Sequence, residues 1–135
     1  APSIVTGSVA ALETIAASGE ARKQLIANTV LFRELMTEAG FDLDPFGGPG
    51  AATRPDDVPP HPITPVMFPG EDGARLAGEI AQHMLGAGVY VIPFSFPVVP
   101  RGKARIRVQL SAAHSADDVR ACVDAFVAAR EAVAR

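Results

Sequence analysis

The chain has 135 residues, a formal net charge of −3 and a hydrophobic content of 48%. This length predicts one domain with a modest buried core. The weak negative charge disfavours a general nucleic-acid-binding protein, and no apolar run approaches the ~20 residues that a membrane helix needs. The first residues carry no basic segment of the kind that begins a signal peptide. The single cysteine excludes an internal disulfide framework and fits a reducing compartment such as the cytoplasm.

The N-terminal part of the chain predicts two consecutive helices. Residues 7–17 place apolar side chains on one face of a helix, and the Ser-Gly pair at 18–19 ends it. Residues 20–39 predict a longer helix with two apolar stripes, which indicates that it is covered on more than one side. The stretch 47–61 is dense in proline and glycine and therefore predicts a surface loop.

A strand and a helix are predicted next. Residues 62–68 predict a strand, and Pro65 within it indicates a position at the edge of a sheet. Residues 73–86 predict a helix that ends at a glycine pair. Its predicted buried stripe consists of Ala74, Ala77, Ile80, Ala81 and Met84.

The C-terminal part predicts two more strands and a last helix. A short strand is predicted at 89–92, and three prolines over 93–100 predict a stiff, extended connection. Residues 104–110 predict the next strand, and Ser115 and Asp118 form the capping box of the last helix. This element order predicts an α+β domain, with a small, mainly antiparallel sheet and helices packed on one face.

The strand 104–110 places two arginines side by side. Its alternation assigns the apolar residues to one face and Arg105 and Arg107 to the other. Like charges on one face repel each other unless an anion lies nearby. Two interpretations stay open: the solvated face of a half-buried strand, or a site where a guanidinium holds a carboxylate through two parallel hydrogen bonds.

The sequence contains no common catalytic or metal-binding motif. It has no phosphate-binding loop, no zinc-type Cys/His cluster and no His-Glu-x-x-His. His61 and His83 are predicted to be surface residues. His114, at a strand-to-helix junction, is predicted to bond the backbone or to reach a cleft.

Other reactive side chains also have structural explanations. Cys122 falls on the core stripe of the last helix and is predicted to be a small core residue. Lys23 and Lys103 lie in surface settings that would not prepare an amine to form a Schiff base.

The segment 88–127, GVYVIPFSFPVVPRGKARIRVQLSAAHSADDVRACVDAFV, resembles the C-terminal segment of the α-oxoamine synthases, a family of pyridoxal-phosphate enzymes. The resemblance continues upstream through VAALETI, ARKQLIANTVLFRELMTEAGF and HPITPVMF, and leaves 47–60 as an insertion. The run FSFPVVPRGKARIRVQLSAAHS is more similar to the glycine C-acetyltransferase branch than to the synthases of 8-amino-7-oxononanoate, 5-aminolevulinate or sphingoid bases.

The resemblance implies an aspartate-aminotransferase-like enzyme of fold type I. Residues 1–18 would be a helix leading in from a large domain, and 19–135 would be the small C-terminal domain. The intact protein would be a homodimer that uses pyridoxal phosphate to condense glycine with acetyl-coenzyme A. Because the family's Schiff-base lysine and cofactor-binding groups would lie upstream, this chain alone is expected to be inactive.

The resemblance also implies roles for individual residues. The second arginine of the family's ARIR motif binds the carboxylate of the amino-acid substrate, which here is Arg107. Arg105 is expected to pair with a carboxylate. The expected pocket-lining residues are Phe94, Ser95, Phe96 and His114. Three alternatives remain: a stand-alone amino-acid-binding module that keeps Arg107, an interaction domain whose arginine face docks another protein, and another α-oxoamine synthase such as an 8-amino-7-oxononanoate synthase.

Overall fold

The computed structural model describes residues 1–44 and 60–134. The described residues form four helices and three strands. In chain order these are α1 (Pro2–Ala17), α2 (Gly19–Glu38), β1 (Ile63–Pro69), α3 (Gly73–Gly86), β2 (Ile92–Phe94), β3 (Lys103–Gln109) and α4 (Ala116–Val133). Most of the loop predicted at 47–61, and of the insertion at 47–60, lies outside the described residues. Within those ranges, no helix combines the length and apolar character needed to cross a bilayer.

The strands form one antiparallel sheet in the order β1-β3-β2. β3 is therefore the central strand, and β1 is an edge strand that contains Pro65, as predicted. The sheet packs against α3, while α4 packs on both α3 and α2. The predicted α+β class, with helices on one face of a small antiparallel sheet, is confirmed.

The position of β2 differs from the prediction. The strand begins at Ile92 instead of ending there, and 93–100 is not one extended connection, because Val98 and Val99 donate to the carbonyl of Ser95 in a turn. Pro93 lies opposite Ile106 within the strand. An edge strand tolerates this proline because its nitrogen, which has no hydrogen to donate, can face away from the neighbouring strand.

The core lies between the sheet and the helices. Period-two alternation in β3 buries its apolar residues, and the helices add their own stripes. The buried residues that meet here include Ile106, Val108, Ala77, Ile80, Met84, Val119, Val123, Phe126, Phe32 and Met36. The capping box predicted at the start of α4 is confirmed, with Ser115 as N-cap.

The buried stripe of α3 begins one residue earlier than predicted. Ala74 is exposed, and Gly73 is buried in its place. An added Cβ at Gly73 would lie 1.9 Å from the carbonyl oxygen of Phe68. The helix therefore starts against the end of β1 through a residue that has no side chain.

The N-terminal helices carry apolar surface that nothing in the described structure covers. α1 begins at Pro2, five residues before the predicted start, because proline is well suited to the first turn of a helix. α1 has no buried residue. In α2, Ile26 and Val30 of the second predicted stripe are each 37% exposed, so no described residue fully covers this side of the helix.

Candidate carboxylate-binding site

Arg107 projects from the outer face of β3. Ile106 and Val108 point into the core on either side of it, and Arg107 is exposed. Its guanidinium carbon lies 4.6 Å from the centroid of the Phe94 ring on β2. Within residues 1–44 and 60–134, no carboxylate forms an ion pair with Arg107. The guanidinium is thus held over an aromatic ring, with its hydrogen-bond donors available to an anion.

Arg105 occupies a different setting on the same face. It is half-buried, and its Nε donates to the carbonyl oxygen of Lys103 at 3.2 Å. The carboxylate partner expected for Arg105 is not found in the part of the chain that the structure describes. The two arginines of the ARIR motif are therefore not equivalent, and the more exposed of them is Arg107.

A cavity of about 660 Å³ lies beside Arg107. Its walls are the 87–92 segment, the C-terminal end of β3 and the first turns of α4. Because β2 begins only at Ile92, the preceding residues do not pair with the end of β3. The cavity occupies the space between these two segments. Its polar lining residues include Arg107, His114 and Asp118.

Hydrogen bonds fix the loop between β3 and α4. Asn28, which is 1% exposed, donates from Nδ2 to the carbonyl oxygens of Ser111 at 2.9 Å and His114 at 2.8 Å. Gln24 donates to Oδ1 of Asn28 at 2.8 Å. Within the loop, the backbone N–H of Ser111 donates to Nδ1 of His114 at 3.2 Å. A single side chain of α2 therefore holds both ends of this loop.

Asn28 lies among buried apolar residues of α2, and no motif in the sequence assigns it a role. The usable signal was its polarity, because an amide among buried apolar positions needs hydrogen-bond partners. The carbonyl oxygens to which its amide donates lie more than 80 residues away along the chain. Local sequence patterns do not identify them.

The structure brings together only some of the predicted pocket residues. Phe94 contacts Arg107, and His114 lines the same cavity as Arg107. Ser95 and Phe96 line a separate cavity of about 580 Å³ near the start of α3. In that cavity the Phe96 ring lies under Arg101, whose guanidinium carbon is 4.2 Å from the ring centroid. The turn after β2 therefore separates Ser95 and Phe96 from the cavity beside Arg107.

Two ionisable groups in the cavity wall have shifted pKa values. Hydrogen bonds from the backbone N–H and then the hydroxyl of Ser115 lower the pKa of Asp118. Burial raises the pKa of the Cys122 thiol to about 11, so the thiol is neutral at physiological pH. This fits its predicted role as a half-buried core residue and not as a nucleophile.

The lysines lie away from the cavity. Lys23 forms an exposed ion pair with Glu20 at 2.7 Å, and Lys103 is exposed at the start of β3. His61 and His83 are exposed, as predicted. The described residues also contain no cluster of histidine, cysteine and carboxylate side chains suited to a metal ion. Among the described residues, the cavity beside Arg107 is therefore lined by no lysine.

A family model described as aminotransferase class I and II matches residues 1–126. The chain belongs to the aminotransferase class I and II family. It is 44% identical over 126 residues to the mitochondrial 2-amino-3-ketobutyrate coenzyme A ligase of Homo sapiens, covering 93% of this chain and 26% of the relative. It is 41% identical over 126 residues to the 2-amino-3-ketobutyrate coenzyme A ligase of Escherichia coli K12, covering 93% of this chain and 28% of the relative. The chain thus spans about a quarter of the length of these relatives, and the resemblance seen in the sequence is confirmed.

Solved structures show the same fold. An 8-amino-7-oxononanoate synthase from Francisella tularensis matches with a TM-score of 0.72 at 17% identity, covering 99% of this chain and 34% of that one. A serine palmitoyltransferase from S. paucimobilis, solved with PLP and myriocin bound, matches with a TM-score of 0.66 at 24% identity. The match covers 85% of this chain and 25% of that one. The predicted fold type I class is confirmed by these neighbours.

Proposed function

We propose that this chain is the C-terminal small domain of a pyridoxal-phosphate-dependent acyltransferase. The reaction is the condensation of glycine with acetyl-coenzyme A to give 2-amino-3-oxobutanoate and coenzyme A, a step of threonine and glycine metabolism. The support is the 41–44% identity to 2-amino-3-ketobutyrate coenzyme A ligases, of whose length the chain spans about a quarter. In this proposal residues 1–18 lead in from a large domain, and 19–135 form the small domain.

The observation that carries the proposal is the exposed Arg107 guanidinium, held over Phe94 at the edge of a cavity. A guanidinium binds a carboxylate through two parallel hydrogen bonds, and one charge-assisted bond contributes roughly 1.5–3 kcal/mol. A rigid strand is a suitable base for such a contact. In this role Arg107 binds the carboxylate of glycine and orients the amino acid for loss of its Cα proton.

Pyridoxal phosphate, when bound, supplies the electron sink for the resulting carbanion. No described residue around Arg107 is suited to hold the cofactor, so its attachment lysine and phosphate-binding groups are assigned to the large domain. The intact protein, meaning this chain together with that domain, is proposed to be a cytoplasmic homodimer. The 135-residue chain alone is proposed to be inactive. Steady release of coenzyme A by the isolated chain with added pyridoxal phosphate would contradict this.

The experiment is an arginine substitution in the intact protein. Arg107→Ala is expected to raise the KM for glycine by about tenfold or more and to leave the KM for acetyl-coenzyme A within twofold. The matched control is Arg101→Ala, because Arg101 also lies over a phenylalanine but lines the separate cavity. A glycine KM that Arg107→Ala leaves at the level of the Arg101→Ala control would refute the role of Arg107.

A stand-alone amino-acid-binding module is the alternative that also uses Arg107. Calorimetry of the isolated chain with glycine separates the two. The proposed small domain is expected to bind glycine only weakly, because the rest of the site is missing. Tight binding that Arg107→Ala abolishes would instead support the module.

A further inference from the structure

His114 and Arg107 line the same cavity, and a hydrogen bond defines which nitrogen of His114 carries a proton. Nδ1 accepts from the backbone N–H of Ser111 at 3.2 Å. In a neutral imidazole, one ring nitrogen accepts and the other donates. Nε2 is therefore the protonated nitrogen, and it is the donor that His114 has available for a ligand.

The loop that carries His114 is held rigidly. Both hydrogens of the Asn28 amide are used on the carbonyl oxygens of Ser111 and His114, and Ala113 N–H donates to Oγ of Ser111 at 3.2 Å. Because Asn28 is buried, breaking these bonds would leave polar groups without partners inside the protein. The position of the ring is therefore set before any ligand binds.

We propose that His114 is a second amino-acid-binding residue, which donates its Nε2–H to the carboxylate that Arg107 binds. This rests on the proposed function of Arg107. A carboxylate has about four lone-pair sites, so it can accept two hydrogen bonds from a guanidinium and one more from an imidazole. Asn28 is the positioning residue, since it holds the loop on which His114 lies.

Among the described residues that line the cavity, the one carboxylate is already engaged. Oδ2 of Asp118 accepts from the backbone N–H and the hydroxyl of Ser115, each at 2.8 Å. Its charge stabilises the start of α4, where the helix dipole is positive. The donors of Arg107 and His114 therefore remain available for a carboxylate that enters from outside.

The test compares two substitutions of His114 in the intact protein. His114→Asn keeps an acceptor near Nδ1 for the Ser111 N–H but removes the Nε2 donor, and we expect the glycine KM to rise about ten- to hundredfold. His114→Gln keeps a donor near Nε2, and its glycine KM is expected to stay within about threefold of the native value. The matched control is His83→Asn, an exposed histidine outside this cavity.

The outcomes separate this inference from the proposed function. If Arg107→Ala impairs glycine binding and His114→Asn behaves like His83→Asn, His114 has no role in binding and the proposed function stands. If neither variant changes the glycine KM, the proposed role of Arg107 and the proposed role of His114 are both wrong. If His114→Gln is impaired as much as His114→Asn, the Nε2 donor is not what matters, and the proposal for His114 is overturned.

A second measurement does not depend on activity. Long-range ¹H–¹⁵N spectra of the chain labelled with ¹⁵N-histidine are expected to show His114 with its proton on Nε2 in the neutral form. A proton on Nδ1 would overturn the proposal. For Asn28, a double-mutant cycle of Asn28→Ser and His114→Asn is expected to be non-additive in the glycine KM, and additive effects would remove its positioning role.

Discussion

The guanidinium of Arg107 lies over the ring of Phe94, with 4.6 Å between the guanidinium carbon and the ring centroid. The two residues are not directly opposite each other, because Phe94 pairs with Arg105 and Ile92 pairs with Arg107. Diagonal neighbours across two strands are within reach of long and aromatic side chains. The contact therefore depends on the register of β2, and it fixes the guanidinium on the outer face of the sheet.

Phe94→Leu tests whether this contact prepares Arg107 for its ligand. The substitution keeps apolar bulk but removes the cation–π interaction, which contributes about 0.5–1 kcal/mol at an exposed site. In the intact protein the glycine KM is expected to rise about two- to fivefold with little change in kcat. Phe96→Leu is the control, because its ring lies under Arg101 instead. Equal KM values for the two variants would show that the ring does not assist binding.

Ser115→Ala is expected to destabilise the start of α4. Ser115 accepts from the N–H of Asp118, and its own N–H and hydroxyl donate to the Asp118 carboxylate. Loss of such a cap is expected to lower the urea midpoint by about half a molar.

The hydrogen bonds between Ser115 and Asp118 also predict that the stability of the folded chain depends on pH. Since these bonds lower the pKa of Asp118 below its ordinary value of 3.8, the carboxylate stabilises the folded state above that pH. The stabilisation is lost as the pH falls through the lowered pKa. The difference between Ser115→Ala and the native chain should therefore shrink in acid, and a difference that stays constant down to pH 2 would contradict this explanation.

Cys122 is expected to react slowly with alkylating reagents. Burial raises the pKa of its thiol from 9.0 to about 11, so at pH 8 its thiolate fraction is about a hundredfold smaller than in an unfolded chain. Iodoacetamide labelling followed by mass spectrometry should show this ratio between native and urea-unfolded samples. Because the unfolded chain loses its thiol proton first, stability should also fall as the pH rises from 9 to 11. Similar labelling rates in both states would contradict the predicted burial.

Gly73→Ala is expected to destabilise the domain by about 1–3 kcal/mol, because the new Cβ would lie 1.9 Å from the carbonyl oxygen of Phe68. Gly78→Ala is the matched control in the same helix, since its Cβ would meet nothing within 4 Å. That substitution should stabilise the helix by up to about 1 kcal/mol. Urea unfolding of the two variants measures both effects, and a Gly73→Ala variant as stable as Gly78→Ala would contradict the close approach of α3 to β1.

The isolated chain is expected to self-associate through α1. Ile4, Val5 and Leu12 are 69%, 62% and 66% exposed and lie on one side of the helix. An apolar surface of this kind favours association in water. Sedimentation velocity should show species larger than a monomer, and Leu12→Gln should reduce them. A monomer at high concentration in both cases would contradict the expectation.

The local features of this fold were predictable from the sequence. The alternation in β3 identified Arg107 as an outward-facing residue, and the Ser115–Asp118 pair identified the start of α4, because both depend on residues close together in the chain. The bounds of β2 were not predictable in this way. The prolines of 93–100 alone indicate a connection between strands. Pairing with β3, which the local sequence does not reveal, places Pro93 inside a strand instead.

The grouping of the site residues depends on tertiary contacts. The turn after β2 places Phe96 in a separate cavity, whereas Phe94, only two positions earlier in the chain, contacts Arg107. The carbonyl oxygens that the Asn28 amide binds lie more than 80 residues away along the chain. The sequence therefore predicts the individual side chains of the candidate site better than it predicts which of them lie together.

The strand order β1-β3-β2 has a consequence for how the domain acquires its structure. The middle strand is the last of the three to be synthesised, so neither β1 nor β2 has its pairing partner until Lys103–Gln109 has been made. Pairings between residues far apart in the chain form slowly, because a long loop must close first. A nascent chain that stops before Lys103 would present two unpaired strands at once, and the sheet forms only after the middle strand has been made.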